Sequence, residues 1–137
     1  MSEFELHPRL KADTLFVADL TLCRLLLIND SQYPWTVLVP RRLDIKEAHH
    51  LSAEDQQQLL RESNQLCSAM ENLFSPDKLN IAAIGNVVPQ LHIHHIARFT
   101  SDASWPAPVW GALPAVPYSE LVKLRLISQM QNAMQSS

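Results

Sequence analysis

Glycine is scarce in this sequence, whose 137 residues include only two, Gly85 and Gly111. Phosphate-binding loops of the P-loop and G-x-G-x-x-G types need several closely spaced glycines, so neither type can occur here. Any phosphate that this chain binds must therefore be held by side chains and by isolated backbone amides.

Cysteine and long apolar runs are also rare. Cys23 and Cys67 are too few for a disulfide framework and match no zinc-finger spacing, so we expect both to be small core residues of a reduced, cytoplasmic protein. No apolar stretch approaches 18 residues, and the first residues do not show the pattern of a signal peptide. Neither secretion nor membrane insertion is expected.

The charge balance is slightly acidic. Eleven Lys and Arg stand against 14 Asp and Glu, which gives a net charge of −3, and the basic residues are scattered. Nucleic acid is therefore not the expected partner. With 47% hydrophobic residues, a chain of this length can bury a core without disulfide bonds, and we expect one domain over residues 1–137.

Apolar segments separated by turn residues predict five strands: Thr14–Asp19, Leu22–Ile28, Thr36–Pro40, Leu79–Ile84 and Leu91–Phe99. Between the third and fourth, residues 52–74 repeat apolar side chains at helical spacing, with Ser52 as the N-cap. This order predicts an α+β fold with a mainly antiparallel five-stranded sheet, one long helix and a C-terminal helix.

Residues 101–117 contain four prolines and two tryptophans, Trp105 and Trp110. This composition predicts an ordered but irregular segment between a core of about residues 12–100 and a helix of about residues 118–135. Ser119 is the candidate N-cap of that helix. Its expected apolar face comprises Leu121, Leu124, Ile127, Met130 and Met134.

Three of the six histidines lie within the segment Gln-Leu-His-Ile-His-His-Ile-Ala-Arg, residues 90–98. Strand alternation predicts one polar face made of Gln90, His92, His94 and Arg98. The opposite face receives His95 among apolar neighbours, so this imidazole is expected in the core. Two imidazoles, an amide and a guanidinium suit an anionic ligand, and a neutral imidazole is a competent nucleophile at pH 7.

This segment resembles the signature of the histidine triad (HIT) family, His-φ-His-φ-His-φ-φ with φ apolar. Gln90 stands at the first histidine position, His92 at the second and His94 at the third. Residues 80–89, with Gly85-Asn86, resemble the family's Asn…Gly-Gln stretch. Residues 26–29 and 36–41 resemble its nucleoside-binding strands, so the resemblance covers about residues 15–98.

The resemblance implies a HIT-like fold and a nucleotidyl hydrolase or transferase that forms a homodimer. The middle histidine, His92, would attack the α-phosphate of a nucleoside 5′-monophosphate conjugate, such as a phosphoramidate or a dinucleoside polyphosphate. A nucleotidyl-histidine would form and be resolved by water. A nearby backbone carbonyl would fix the tautomer of His92, and neither a metal ion nor another cofactor is required.

The other site residues are also implied by the resemblance. His94 would contact the phosphate, and Gln90 would be the third catalytic residue beside the two histidines. Substrate-binding roles fall on a set of polar residues: Asn29 or Asp30 at the ribose, Asn80 and Asn86 near the phosphate, and Arg98 at the end of the polar face.

Three residues depart from the family pattern and predict a divergent branch. Gln90 removes a titratable group, Trp35 replaces a supporting histidine before the Val-Leu-Val strand, and His95 fills an apolar position. The alternative function is a nucleotide sensor or interaction module with little turnover. A metal-binding protein is a third reading, because His92 and His94 are a workable chelating pair without a third ligand at metal-binding spacing.

Structural roles remain open for several of these residues. His92 and His94 could be hydrogen-bonded strand histidines, and Gln90 could be structural. Arg98 could pair with an acidic side chain. Trp110 is expected to pack, or to lie near an active site of a neighbouring subunit, as the corresponding segment does in relatives.

Overall fold

A five-stranded antiparallel sheet forms the centre of the fold in the computed structural model, which describes residues 4–135. Its strands are β1 (Thr14–Asp19), β2 (Cys23–Ile28), β3 (Trp35–Pro40), β4 (Lys78–Ala82) and β5 (Ile93–Arg98). They lie in the order β1-β2-β3-β5-β4, and every neighbouring pair is antiparallel. The predicted α+β class with its five-stranded sheet is confirmed.

Helices surround the sheet: α1 (Pro8–Asp13), α2 (Ala53–Phe74) and α3 (Glu120–Gln135), with a short 3₁₀ turn at Ala48–His50. The long helix α2 begins at the predicted cap, where the Asp55 backbone N–H donates to Ser52 Oγ at 3.1 Å. It ends at Ser75, whose left-handed φ of 48° turns the chain out of the helix. None of the helices within residues 4–135 is long and apolar enough to cross a membrane.

The helices α2 and α3 cover one face of the sheet. Strand residues that point to this side are fully buried: Leu25, Leu38 and Ala97. They pack in one cluster with Leu66 and Met70 of α2 and Met130 of α3, which are also fully buried. Glu62 of α2 is also buried, and its two carboxylate oxygens accept from the backbone N–H groups of Leu22 and Cys23, each at 2.8 Å. These two hydrogen bonds tie α2 to the start of β2.

The opposite face of the sheet carries two smaller apolar clusters. Leu10 of α1 packs with Val37 of β3, and the second cluster joins Tyr33 and Ile96 to Val109 of segment 101–117. The chain before β1 and the segment after β5 therefore lie on the same side of the sheet, with a cavity between them.

The predicted apolar face of α3 is partly wrong. Leu121 and Leu124 are 67% and 56% exposed, whereas Leu126, Met130 and Met134 are buried. The buried residues all belong to the later turns of α3, which pack against α2 and β1. Helical periodicity identified the element but not the turn at which its packing begins.

The two strands nearest the histidine cluster are shorter than predicted. β4 ends at Ala82, and β5 begins at Ile93, because the ladder between them closes at the pair Ala82–His94. The chain then turns through Gly85, whose φ of 69° favours glycine. As a result, Gln90 and His92 precede β5 rather than lying within it.

Candidate functional site

A cavity of about 690 Å³ opens on the sheet face opposite α2 and α3. Its walls are α1, the end of β2 with the turn that follows, residues 84–88, and residues 109–117. His92 and His94 line it together with Trp35. A cavity of this size accommodates a small organic ligand such as a nucleotide.

His92 is held in one tautomer by the backbone. Its Nδ1 lies 2.8 Å from the carbonyl oxygen of Gln90, and its side chain is almost buried. Because a carbonyl oxygen only accepts, this contact assigns the ring proton to Nδ1 and leaves a lone pair on Nε2. His92 thus presents a nucleophilic nitrogen beside the cavity, with the carbonyl contact that the resemblance implies.

His94 has the opposite tautomer. The indole Nε1–H of Trp35 donates to Nδ1 of His94 at 2.9 Å. Indole is only a donor, so Nδ1 carries no proton and Nε2–H is the remaining donor. Burial, with smaller effects of His92 and His95, lowers the pKa of His94 to about 3. His94 is therefore a neutral hydrogen-bond donor at physiological pH.

Aromatic rings surround His94 on two sides. Its ring centroid lies 5.8 Å from that of Trp35 and 5.2 Å from that of Trp110, and the His92 centroid is 5.0 Å away. Trp110 lines the cavity of its own chain, although the sequence favoured a packing role or a neighbouring subunit. The sequence offered no signal for this contact beyond the presence of a tryptophan among the prolines.

Asn29 and Asp30 line the cavity at the end of β2. Oδ1 of Asn29 accepts from the Tyr118 N–H at 3.0 Å, and Oδ1 of Asp30 accepts from the N–H of Gln32 at 3.1 Å and of Val116 at 3.3 Å. Both side chains thus hold the end of segment 101–117 in place. Within residues 4–135, Asp30 Oδ2 accepts no hydrogen bond, so this oxygen can accept one from a ligand.

Asn86 also lines the cavity, on the turn after Gly85. The structure therefore brings five of the predicted site residues together around one cavity: His92, His94, Asn29, Asp30 and Asn86.

Arg98 and Asn80 are placed outside this cavity lining. Arg98 lies on the predicted face of β5, but it is buried in an ion pair with Asp102 at 2.8 Å and also donates to Asn80 Oδ1 at 2.9 Å and to Ala107 O at 2.8 Å. In place of a ligand contact, Arg98 anchors the start of segment 101–117. Although burial raises the pKa of Asp102, Arg98 and three backbone N–H groups lower it to about 2.

Gln90 is likewise displaced from the predicted polar face. Its side chain turns away from the cavity to the backbone of Glu5 and His7, and only its carbonyl serves His92. The physical reason is that Gln90 precedes β5, so strand alternation does not govern where its side chain points.

His95 points to the helix side of the sheet, as the alternation predicts. It is fully buried, its Nε2 lies 2.7 Å from Ser63 Oγ of α2, and its Nδ1 lies 3.1 Å from the Ile93 carbonyl oxygen. Burial lowers the pKa of His95 to about 4. This neutral imidazole links β5 to α2 and does not itself line the cavity.

The metal-binding alternative concerns the pair of His92 and His94, which line the cavity together. Across the described residues, no three or more His, Cys, Asp or Glu side chains are grouped so that they could hold a metal ion. The Nδ1 atoms of His92 and His94 are also occupied by the Gln90 carbonyl and the Trp35 indole.

Comparisons with known proteins agree with this architecture. A histidine triad protein from Marinobacter aquaeolei VT8 is 47% identical, with a TM-score of 0.96 and 98% of each chain covered. One from Bradyrhizobium japonicum is 44% identical, with a TM-score of 0.94, 96% of this chain and 98% of that chain covered. One from Sinorhizobium meliloti 1021 is 39% identical, with a TM-score of 0.93, 95% of this chain and 96% of that chain covered. The comparison with curated proteins finds no match.

A family model described as HIT domain matches residues 9–101, which is more than half of the sequence. The matched range contains both cavity histidines, the whole sheet and α2. With the family model and near-complete structural matches in agreement, the chain belongs to the histidine triad (HIT) family.

Proposed function

We propose that the chain is a nucleotidyl hydrolase or transferase that acts on nucleoside 5′-monophosphate conjugates through His92. Proteins of the HIT family bind nucleotides and are usually enzymes. The observation that carries the proposal is the fixed tautomer of His92, whose Nδ1 lies 2.8 Å from the Gln90 carbonyl oxygen. That contact leaves the Nε2 lone pair beside a cavity of about 690 Å³.

In the proposed reaction, Nε2 of His92 forms a bond to the α-phosphorus as the bond to the leaving group breaks. The leaving group departs with the bonding electron pair, an amine leaving group takes its proton from water, and the product on the enzyme is a nucleotidyl-histidine. Water then attacks the same phosphorus. This second step releases the nucleoside monophosphate and returns the electron pair to His92, while the proton of the water passes to solvent.

Neighbouring side chains would position the nucleotide. The Nε2–H of His94 would donate to a non-bridging phosphate oxygen, where negative charge builds up in the transition state. Asn86 would donate its amide to the same phosphate. Asp30 Oδ2 and the amide of Asn29 would bind the ribose hydroxyls, because both side chains line the cavity at the end of β2.

A second candidate function, nucleotide binding with little turnover, is favoured by the neutrality of His94. With a pKa lowered to about 3, chiefly by burial, His94 is not an imidazolium that could protonate a leaving group at neutral pH. Gln90 supplies no acid either. A nucleotide sensor would keep the cavity and its hydrogen bonds without efficient bond cleavage.

Chromatographic detection of released AMP tests the proposal, with adenosine 5′-phosphoramidate and a diadenosine polyphosphate as substrates. We expect the wild type to release AMP and His92→Ala to release none. His49→Ala is the matched control because His49 is exposed and lies outside the cavity lining. If the folded wild type binds AMP but releases none, the sensor function replaces the enzyme.

Rapid quenching in base, in which the P–N bond of a nucleotidyl-histidine is stable, followed by intact mass measurement tests the intermediate. The wild type should carry one adenylyl group during turnover, whereas His92→Ala should carry none. A labelled residue other than His92 after proteolysis would overturn the assignment of the nucleophile.

We further propose that the chain forms a homodimer, since HIT proteins often do. The edge strand β4 and the first turns of α3 leave apolar side chains at the surface: Ile81, Leu121 and Leu124 are between 52% and 67% exposed. Sedimentation equilibrium gives the mass directly, and a monomer at micromolar concentration would contradict the proposal.

A further inference from the structure

The side chain of Gln90 makes two hydrogen bonds to a distant part of the chain. Its Oε1 accepts from the His7 backbone N–H at 2.8 Å, and its Nε2 donates to the Glu5 carbonyl oxygen at 2.9 Å. A glutamine amide that binds one backbone N–H and one backbone C=O two residues apart acts as a clamp on that backbone. Residues 5–7 are thereby fixed next to the loop that carries His92.

The clamped residues lead directly into α1. His7 is the N-cap of that helix, and its Nδ1 accepts from the Arg9 N–H at 3.1 Å. Pro8 occupies the first helical turn, where its missing N–H has no cost. Holding residues 5–7 therefore sets where α1 begins and in which direction it runs.

One wall of the cavity is formed by α1. Four of its residues line the cavity, Arg9, Leu10, Ala12 and Asp13. Arg9 is also the one Lys or Arg side chain among the lining residues, and it forms an exposed ion pair at 3.7 Å with Asp13, which lines the cavity as well. Correct placement of α1 thus affects both the shape and the charge of the cavity.

A helix of six residues is too short to be stable without tertiary contacts. At its end, the Asp13 carbonyl oxygen accepts from the Asn29 N–H at 3.1 Å, and in its middle Leu10 is buried against β2 and β3. At its beginning, the clamp by Gln90 supplies the corresponding attachment. The helix is held at both ends, and Gln90 supplies side-chain hydrogen bonds at its beginning, where Phe4 and Leu6 also pack against the cluster around Leu10.

We propose that Gln90 is a positioning residue that fastens α1 as a wall of the nucleotide cavity, and not a substitute for a catalytic histidine. This inference rests on the proposed function for the identity of the ligand. The backbone carbonyl of Gln90 holds His92 at the same time, but any residue at position 90 retains that carbonyl. Loss of the side chain therefore weakens nucleotide binding and leaves the chemical step intact.

Gln90→Ala removes both hydrogen bonds of the clamp and preserves the carbonyl. We expect amide hydrogen exchange in residues 4–13 to accelerate, and both the Kd for AMP and the KM of the conjugate to rise, each by about tenfold, the scale of one or two lost hydrogen bonds. We expect kcat to stay within about twofold, because the tautomer of His92 does not depend on this side chain.

Gln90→Glu is the second variant. A carboxylate retains an acceptor for the His7 N–H, but its second oxygen would face the Glu5 carbonyl oxygen and repel it, so exchange should be faster and AMP affinity lower than in the wild type. Gln57→Ala is the matched control, since Gln57 is an exposed glutamine of α2 that does not line the cavity. Exchange and binding of this control should equal those of the wild type.

Two results would overturn the inference. One is unchanged exchange of residues 4–13 in Gln90→Ala, and the other is a lower kcat at unchanged KM, which would make Gln90 a third catalytic residue. If the wild type does not bind AMP in calorimetry, the proposed function fails instead. Exchange alone then decides whether Gln90 fastens α1, because this readout requires neither ligand nor turnover.

Discussion

The Trp35 indole donates from Nε1 to Nδ1 of His94 at 2.9 Å, although the two residues are 59 positions apart. Trp35 is the first residue of β3, and β3 pairs directly with β5, so the sheet itself sets this distance. Since indole cannot accept a hydrogen bond, it selects one tautomer of the imidazole. Trp35 thereby turns His94 into a fixed Nε2–H donor toward the cavity.

Trp35→Phe tests this relationship. Phenylalanine keeps an aromatic ring near Tyr33 and Trp110 but removes the indole donor, so the His94 ring is free to flip or to change tautomer. We expect kcat to fall by about tenfold, the scale of one hydrogen bond in the transition state, with a small change in KM. Nitrogen-15 chemical shifts of His94 should show a mixture of tautomers.

Trp105→Phe is the control for this experiment. Trp105 packs on the Arg98 guanidinium at 5.5 Å and does not line the cavity, so its replacement should leave kcat unchanged. Equal kcat values for the wild type and Trp35→Phe would show that the tautomer of His94 does not matter to the rate.

The second prediction concerns the leaving group. His94 is held neutral, and the Gln90 side chain binds the backbone of residues 5–7. Neither residue can therefore protonate a basic leaving group. General acid catalysis typically contributes about a hundredfold or more. We therefore expect kcat/KM for the p-nitrophenyl ester of AMP to exceed that for an alkyl phosphoramidate of AMP by about a hundredfold.

A series of aryl esters of AMP with graded leaving-group pKa values gives the slope of log kcat/KM against leaving-group pKa. The slope should be steep and should stay the same in Gln90→Ala. If kcat/KM did not change with the leaving-group pKa, or if the ester and the phosphoramidate reacted at equal rates, a residue other than His94 and Gln90 would have to act as the acid.

The third prediction concerns stability in acid. Burial lowers the pKa values of His94 and His95 to about 3 and about 4, so the unfolded chain binds more protons than the folded one below the ordinary histidine pKa of 6.5. The stabilisation is fully present above pH 6.5 and is lost as the pH falls toward 4. Each imidazole contributes a slope of up to about 1.4 kcal/mol per pH unit in that range.

Urea unfolding at several pH values between 7.5 and 4.5 measures this slope. His95→Gln should reduce it by about half, because it removes one of the two imidazoles whose pKa is lowered in the fold. His49→Gln, at an exposed position, should leave it unchanged. A wild-type free energy of unfolding that does not change between pH 6.5 and pH 4.5 would contradict the assignment.

The fourth prediction concerns Arg98. Its guanidinium is buried and forms paired hydrogen bonds with Asp102 at 2.8 and 3.1 Å, a geometry that the ammonium of lysine cannot reproduce. Arg98→Lys should lower the free energy of unfolding by about 3 kcal/mol. The exposed pair between Arg24 and Asp19 is the comparison, and Arg24→Lys should cost less than about 1 kcal/mol.

Urea unfolding at pH 7.5 measures both changes. If Arg98→Lys lowered the free energy of unfolding as little as Arg24→Lys does, Arg98 would not hold segment 101–117 in the way that the structure indicates.

Local patterns in the sequence were sufficient for much of the fold. Ser52 and the apolar repeat after it placed α2 correctly, because capping and helical periodicity act over a few residues. Strand alternation placed His94 and His95 on opposite faces of β5, since successive side chains of a strand point to opposite sides. The family resemblance led to the histidine triad family, and the matched model and structures confirm that family.

Long-range contacts were decided by the tertiary structure alone. Alternation gives the face to which Arg98 points, but Asp102 and Asn80 cover it there, and Gln90 binds residues 83 and 85 positions away. The burial of α3 likewise depends on where α2 and β1 meet it. A sequence pattern specifies the direction of a side chain, whereas its partner is specified only when distant segments pack together, and for this reason the local sequence could indicate His92 and His94 but not the residues that hold them.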